Sequence, residues 1–71
     1  MNGRLYRLTP AGGKPNHYTD SYASALAKLP NPWDVPKFEA LAVGGRLNVS
    51  RLERSPGLDL WVDVGVWERV A

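Results

Sequence analysis

The residue types that most often carry catalysis or bind metals are scarce in this chain. Cysteine is absent and His17 is the only histidine, so the ligand sets of thiolate and histidine metal sites are not available. A histidine that acts as a general base needs an orienting partner, and the sequence around His17 offers only a contact with Asp20. We therefore expect His17 to be a solvated or helix-entry residue, and the protein not to be an enzyme.

Two further patterns resemble chemical sites only superficially. Asp59 and Asp63 lie on one face of a predicted strand, where the rise per residue separates them by roughly 13 Å, too far to share a proton or a metal ion. Gly12-Gly13-Lys14 resembles the end of a phosphate-binding loop, but the first glycine at the required spacing and the strand-to-helix junction are both missing. The sequence thus predicts no catalytic residue, no metal ligand and no cofactor.

Aromatic and arginine residues are the better candidates, and their chemistry is that of binding. Both residue types are enriched at the positions that dominate the binding energy of protein interfaces. Trp61 and Trp67 share one face of the last predicted strand, where they either anchor a partner or are buried beneath the helix, and the sequence leaves both alternatives open. The candidate binding residues, on the last hairpin and the first strand, are Trp61, Trp67, Arg46, Tyr6, Arg4 and Arg7.

A first strand and a short helix are predicted in the first half of the chain. The strand runs from about Gly3 to Thr9, and a glycine- and proline-rich loop follows it. The helix of about nine residues begins after a cap at Thr19, Asp20 or Ser21 and ends before Pro30. Its apolar stripe, at positions i, i+4 and i+7, is Tyr22, Leu26 and Leu29.

The middle of the chain is a stiff connection followed by an ambiguous segment. Three prolines restrict the backbone of residues 30–36, and Trp33 is expected to anchor this segment by packing into the core. Residues 37–43 fit either a strand or a turn of helix, because Phe38 belongs to an apolar set at both periodicities.

The last third is predicted to be a β-hairpin. Leu58, Leu60, Val62, Val64 and Val66 alternate with more polar residues, and Pro56-Gly57 suits a type II turn. The register that matches the two apolar sets pairs Arg54 with Asp59, Val49 with Val64 and Leu47 with Val66 on the core side. On the second face it pairs Leu52 with Trp61, Ser50 with Asp63 and Arg46 with Trp67.

These elements predict one small α+β domain over residues 1–71. It consists of an antiparallel sheet of three to four strands with one short helix packed on it, in the approximate order β-α-β-β-β. No segment has the roughly 20 apolar residues that span a bilayer, and the first residues have no apolar run typical of a signal peptide, so we expect a cytoplasmic protein. Residues 1–18 carry three basic residues and no acid, whereas residues 55–71 carry three acids and one base, an asymmetry that can orient a partner.

The layout resembles that of the small proteins with which phages block host machinery, including the type I anti-CRISPR inhibitors. The resemblance lies in the size, in the lack of catalytic groups and in the strand–helix–meander order. It extends from Gly3-Arg4-Leu5 through the helix at 21–29 to Asp59-Leu60-Trp61-Val62. The run from Phe38 to Arg51 also resembles a segment that precedes a strand in small phage proteins. No functional residue is carried over, because these inhibitors share no specific motif.

The sequence therefore favours a non-catalytic module that binds another protein or protein complex through its sheet face or an edge strand. The resemblance implies an inhibitor of a host complex such as a CRISPR effector. The alternative is a small nucleic-acid-binding protein that stacks bases on Tyr6, Trp61 and Trp67, with arginines on the phosphates. A homodimer is a third reading, and no membrane partner is expected.

Overall fold

A four-stranded antiparallel sheet organises the fold in the computed structural model, which describes residues 3–12 and 18–71. The strand order is β2-β1-β4-β3. The strands are β1 (Leu5–Pro10), β2 (Tyr18–Ser21), β3 (Arg46–Ser55) and β4 (Leu58–Arg69). Two short helices, α1 (Tyr22–Ala27) and α2 (Val35–Glu39), stand between β2 and β3, and a 3₁₀ turn (Pro32–Asp34) precedes α2. The α+β class and the antiparallel sheet agree with the prediction.

The order of elements differs from the predicted one at β2. Residues 18–21 pair with β1 as an edge strand, with Leu5 opposite Ser21 and Leu8 opposite Tyr18. Their short polar sequence has no apolar alternation, and its hydroxyl and carboxylate groups indicated a helix cap instead. Ser21 is both the last residue of β2 and the N-cap of α1, and its side chain accepts a hydrogen bond from Ser24 N at 3.3 Å. The strand therefore leads directly into α1.

Helix α1 and Leu29, which follows its C-cap, dock the predicted apolar stripe on the core. Tyr22, Leu26 and Leu29 pack against the core, and Ala25 is completely buried. The helix spans six residues and ends at Ala27, with Lys28 as its C-cap. A helix of this length is not stable alone, so packing against the sheet must hold it.

Truncation of Leu26 tests this packing. Leu26→Ala is expected to lower the free energy of unfolding by about 1–3 kcal/mol, less than for a completely buried leucine because Leu26 is half-buried. The matched control is Leu60→Ala on β4, where a leucine that is 50% exposed should contribute about 0.5 kcal/mol or less. Urea unfolding measures both, and equal losses would contradict the assignment of the helical face.

The helical alternative is the correct one for residues 37–39, since they complete α2. Phe38 is completely buried, with its ring centroid 4.3 Å from that of Tyr6 and 6.1 Å from that of Trp67. The predicted anchor of this region, Trp33, is instead 57% exposed. Asn31 and Asp34 hold the connection: the Asn31 amide donates to the backbone oxygen of Ser50 and, at 3.1 Å, to Asp34 Oδ2. The buried core comprises Tyr6, Leu8, Ala25, Phe38, Val49 and Trp67.

The β3–β4 hairpin contains a bulge that corrects the predicted register. Toward the turn the predicted pairs are present, with Arg54 opposite Asp59, Leu52 opposite Trp61 and Ser50 opposite Asp63. Between Ser50 and Val49 the register shifts, leaving Val64 as the additional residue on β4. The predicted pairs Val49–Val64, Leu47–Val66 and Arg46–Trp67 are therefore wrong. Val49 faces Gly65, Leu47 faces Trp67 and Arg46 faces Glu68.

Gly65 makes this bulge compatible with the sheet. Its φ angle is +147°, and a Cβ atom at this position would lie 2.4 Å from the carbonyl oxygen of Thr9 on β1. The missing side chain thus lets β1 approach β4 closely. The bulge shifts the alternation of β4 by one residue beyond Val64, so that Trp67 joins the core. Leu58 and Leu60, predicted as core residues, are exposed in the part of β4 that β1 does not reach.

Candidate binding surface

The structure separates the two tryptophans of β4. Trp67 is 1% exposed and packs edge-on against Phe38, whereas Trp61 is 58% exposed. Tyr6, another candidate binding residue, is completely buried beside Phe38. Trp67 and Tyr6 therefore present no surface to a partner, and Trp61 is the indole on β4 that does.

The three candidate arginines lie away from Trp61, and two of them contact other parts of the chain. The Arg4 guanidinium lies 5.7 Å from the ring centroid of Tyr22, and Arg7 forms an ion pair with Glu68 at 3.0 Å. Arg7, Glu68 and Arg46 form one row across β1, β4 and β3, because Glu68 is opposite both arginines in the register. This row crosses β4 at Glu68, seven residues from Trp61, and does not extend the surface around Trp61.

The Tyr22 hydroxyl links α1 to α2 near Arg4. It donates to Glu39 Oε1 at 2.6 Å. This hydrogen bond raises the pKa of Tyr22 above its ordinary value of 10.0, and desolvation and the negative charge of Glu39 act in the same direction. The tyrosine is thus held in its neutral form and acts as a structural contact.

Trp33 is the functional candidate that the sequence interpretation missed. Its ring lies 6.1 Å from that of Trp61 in an edge-to-face arrangement, and both indoles are more than half exposed. The hydrogen bonds of Asn31 and Asp34 fix the turn that carries Trp33 beside β3. The prolines around Trp33 indicated a fixed path, but only the tertiary structure shows that this path brings two indoles together.

Trp61 lies on a part of the hairpin that projects beyond the rest of the sheet. We call residues 50–63 the hairpin tip. Strand β1 reaches β4 only as far as Pro10, opposite Gly65, and Ala11 N–H then donates to Val64 O at 3.1 Å. Within residues 3–12 and 18–71, β3 is the only strand that pairs with β4 from Leu58 to Asp63. The tip is consequently a two-stranded ribbon, and the molecule is elongated, with extents of 47 × 27 × 17 Å.

The charges of the hairpin tip are mixed and slightly acidic. The tip carries two basic residues, Arg51 and Arg54, and three acidic residues, Glu53, Asp59 and Asp63. Arg51 and Glu53 form an exposed ion pair at 3.1 Å, a type of contact that contributes little to stability. A surface with this balance lacks the clustered positive charge that usually accompanies binding to phosphate backbones.

The described part of the chain has few features that could bind a metal ion or a small molecule. Residues 3–12 and 18–71 contain no group of three His, Cys, Asp or Glu side chains close enough to hold a metal ion. A shallow pocket is lined by Gly3, Arg4, Arg69 and Ala71. Within it, the Arg69 guanidinium donates to the backbone oxygens of Leu41 and Ala71 at 3.0 and 3.2 Å. The expectations for His17 and for Gly12-Gly13-Lys14 fall wholly or partly outside the described residues.

Comparisons with protein-family models, with curated proteins and with solved structures give no match for this chain. Among the helices of the described residues, none is long and apolar enough to cross a membrane. The geometry of the hairpin tip is therefore the basis on which a function is inferred.

Proposed function

We propose that this protein is a non-catalytic, cytoplasmic module that binds another protein through its hairpin tip and the adjoining Trp33. The observation that carries the proposal is the pair of adjacent, half-exposed indoles, Trp61 and Trp33. An aromatic side chain buries about 150–250 Å² when it is fully covered, so two neighbouring tryptophans offer a large apolar contact area. Their positions are fixed before binding by the hairpin and by the Asn31–Asp34 turn, which limits the entropy lost on association.

A surface of this kind suits an inhibitor, because covering a target's surface requires no reaction and no cofactor. The resemblance to small phage proteins that block host complexes is compatible with this mode of action. The acidic balance of the tip and the burial of Tyr6 and Trp67 favour a protein partner over the nucleic-acid alternative. The module's partner would then present an apolar surface with complementary charge.

Trp61→Ala is expected to leave the fold intact and to remove binding. Truncation of an interface anchor costs about 2 kcal/mol or more, which corresponds to an affinity reduced about 30-fold. The experiment captures partners from the source cell with the wild-type protein, identifies them by mass spectrometry, and measures the affinity of each purified partner for the variant. Val43→Ala is the matched control, since Val43 is 63% exposed but lies outside the tip. Unchanged affinity for Trp61→Ala and Trp33→Ala would contradict the proposal.

The salt dependence of the same binding reaction separates protein binding from nucleic-acid binding. Binding to phosphates weakens steeply with salt, in proportion to the number of phosphate contacts. Binding through the two indoles should respond weakly over the same range. A steep loss of affinity, removed by treating the captured material with nuclease, would identify a nucleic acid as the ligand.

A further inference from the structure

The outer edge of β4 in the hairpin tip lies next to Trp61 and is unpaired within residues 3–12 and 18–71. Beyond Val64, whose oxygen accepts from Ala11 N–H, no described strand covers this edge. Among the described residues, the backbone groups of this segment that point away from β3 therefore have no strand partner and can pair with a further strand. An exposed edge of this kind is the surface to which extended peptides add in β-augmentation.

The side chains along this edge alternate in a way that selects a strand of particular chemistry. On one face, Asp59, Trp61 and Asp63 follow one another at period two. On the other face, the corresponding residues are Leu58, Leu60 and Val62, and both leucines are at least half exposed. Every second side chain of an added strand would lie on the face of Asp59, Trp61 and Asp63. The remaining side chains would lie on the face of Leu58, Leu60 and Val62, which we call the aliphatic row.

A lysine or arginine fits the first face for two reasons. Asp59 and Asp63 supply negative charge, and within the described residues neither forms an ion pair. The exposed Trp61 ring between them can receive a cation on its face. Apolar residues fit the second face, where they would cover Leu58 and Leu60.

A second copy of this chain fits the same edge poorly. Antiparallel pairing of two β4 edges would bring Asp59 and Asp63 of both copies together, and like charges at close range are unfavourable. The outer edge of β3 is interrupted at Ser50, whose backbone oxygen accepts a hydrogen bond from Asn31. The unpaired edge of the tip therefore suits a different chain.

We propose that β4, from Leu58 to Asp63, accepts an extended segment of a partner protein in which basic and apolar residues alternate. This inference rests on the proposed protein-binding function and specifies its partner. The segment adds to the sheet as a further strand, its basic residues meet Asp59, Trp61 and Asp63, and its apolar residues cover the aliphatic row.

The test uses the whole protein and an end-blocked peptide of sequence Lys-Val-Lys-Val-Lys-Val-Lys. Two-dimensional NMR is expected to show saturable shifts of the amides of residues 58–63. Replacing every lysine of the peptide with glutamate should abolish the shifts. Methylation of the peptide nitrogens that face β4 should also abolish the shifts, whereas methylation of the nitrogens that face away should not. The reason is that an added strand hydrogen-bonds to β4 only through the alternate N–H groups that face it.

Charge variants of the protein complete the test. Asp59→Asn combined with Asp63→Asn should weaken peptide binding about tenfold, whereas Glu53→Gln on β3 should have little effect. Shifts centred on β3 or on the helices, or equal binding of the glutamate peptide, would overturn the inference. If no peptide binds but Trp61→Ala still loses its cellular partner, the proposed function stands and this inference fails. If Trp61→Ala keeps its partner as well, both fail.

Discussion

Trp67→Ala is expected to lower the free energy of unfolding by about 3–5 kcal/mol, the usual range for a buried tryptophan. Trp67 is 1% exposed and lies between the sheet and Phe38. A domain of 71 residues has a total stability of roughly 4–10 kcal/mol, so this loss removes much of it. Urea unfolding followed by circular dichroism measures the effect.

Trp61→Ala is the matched control, because it is the same truncation on the same strand. Trp61 is 58% exposed, so its removal should change the stability by about 0.5 kcal/mol or less. Similar losses for both variants would show that the two indoles are not divided between core and surface. A larger loss for Trp61→Ala would show that Trp61 and not Trp67 lies in the core.

Gly65→Ala is expected to be the second strongly destabilising change, with a loss of about 3 kcal/mol or more. The added Cβ atom would lie 2.4 Å from the Thr9 carbonyl oxygen and 3.0 Å from Pro10 Cα, both backbone atoms that cannot move without separating β1 from β4. The positive φ angle adds strain of about 1–2 kcal/mol for any residue other than glycine. Urea unfolding gives the loss, and hydrogen exchange of the β1 amides shows whether the strand separates.

Gly57→Ala in the hairpin turn provides the control for the backbone strain alone. Gly57 also has a positive φ angle, +79°, but no atom lies within 4 Å of the position of a Cβ atom. Its replacement should cost only the strain, about 1–2 kcal/mol. If the two alanine variants lose the same stability, the close approach of β1 to Gly65 does not constrain the sheet.

The sequence was sufficient to predict the elements whose signals are local. The apolar stripe of Tyr22, Leu26 and Leu29 and the hairpin turn at Pro56-Gly57 depend on neighbouring residues, and the structure contains both. The helix cap was expected at Thr19, Asp20 or Ser21, and the structure places it at Ser21. The pairing near the turn, from Arg54–Asp59 to Ser50–Asp63, was also predictable, because the turn fixes the register of the residues closest to it.

The remaining features depend on contacts distant in sequence. The unbroken apolar alternation from Leu58 to Val66 favours a regular strand and conceals the bulge, which lies next to the close approach of β1 at Gly65. The same alternation grouped Trp61 with Trp67, although the bulge places them in opposite environments. Trp33 was assigned to the core because prolines surround it, and its contact with Trp61 arises only when the turn at 31–34 docks on β3. Strand β2 pairs with β1 despite its polar sequence.

The most direct test of the account is hydrogen exchange of the hairpin with and without a purified partner captured by the wild-type protein. We expect the partner to slow exchange at the amides of residues 58–63 and at Trp33. The amides of α1 and of β1 should exchange at the same rates in both states. Protection confined to α1, to β2 or to the Arg7–Glu68 row, with no change in the hairpin tip, would contradict the claim that this protein binds through the tip.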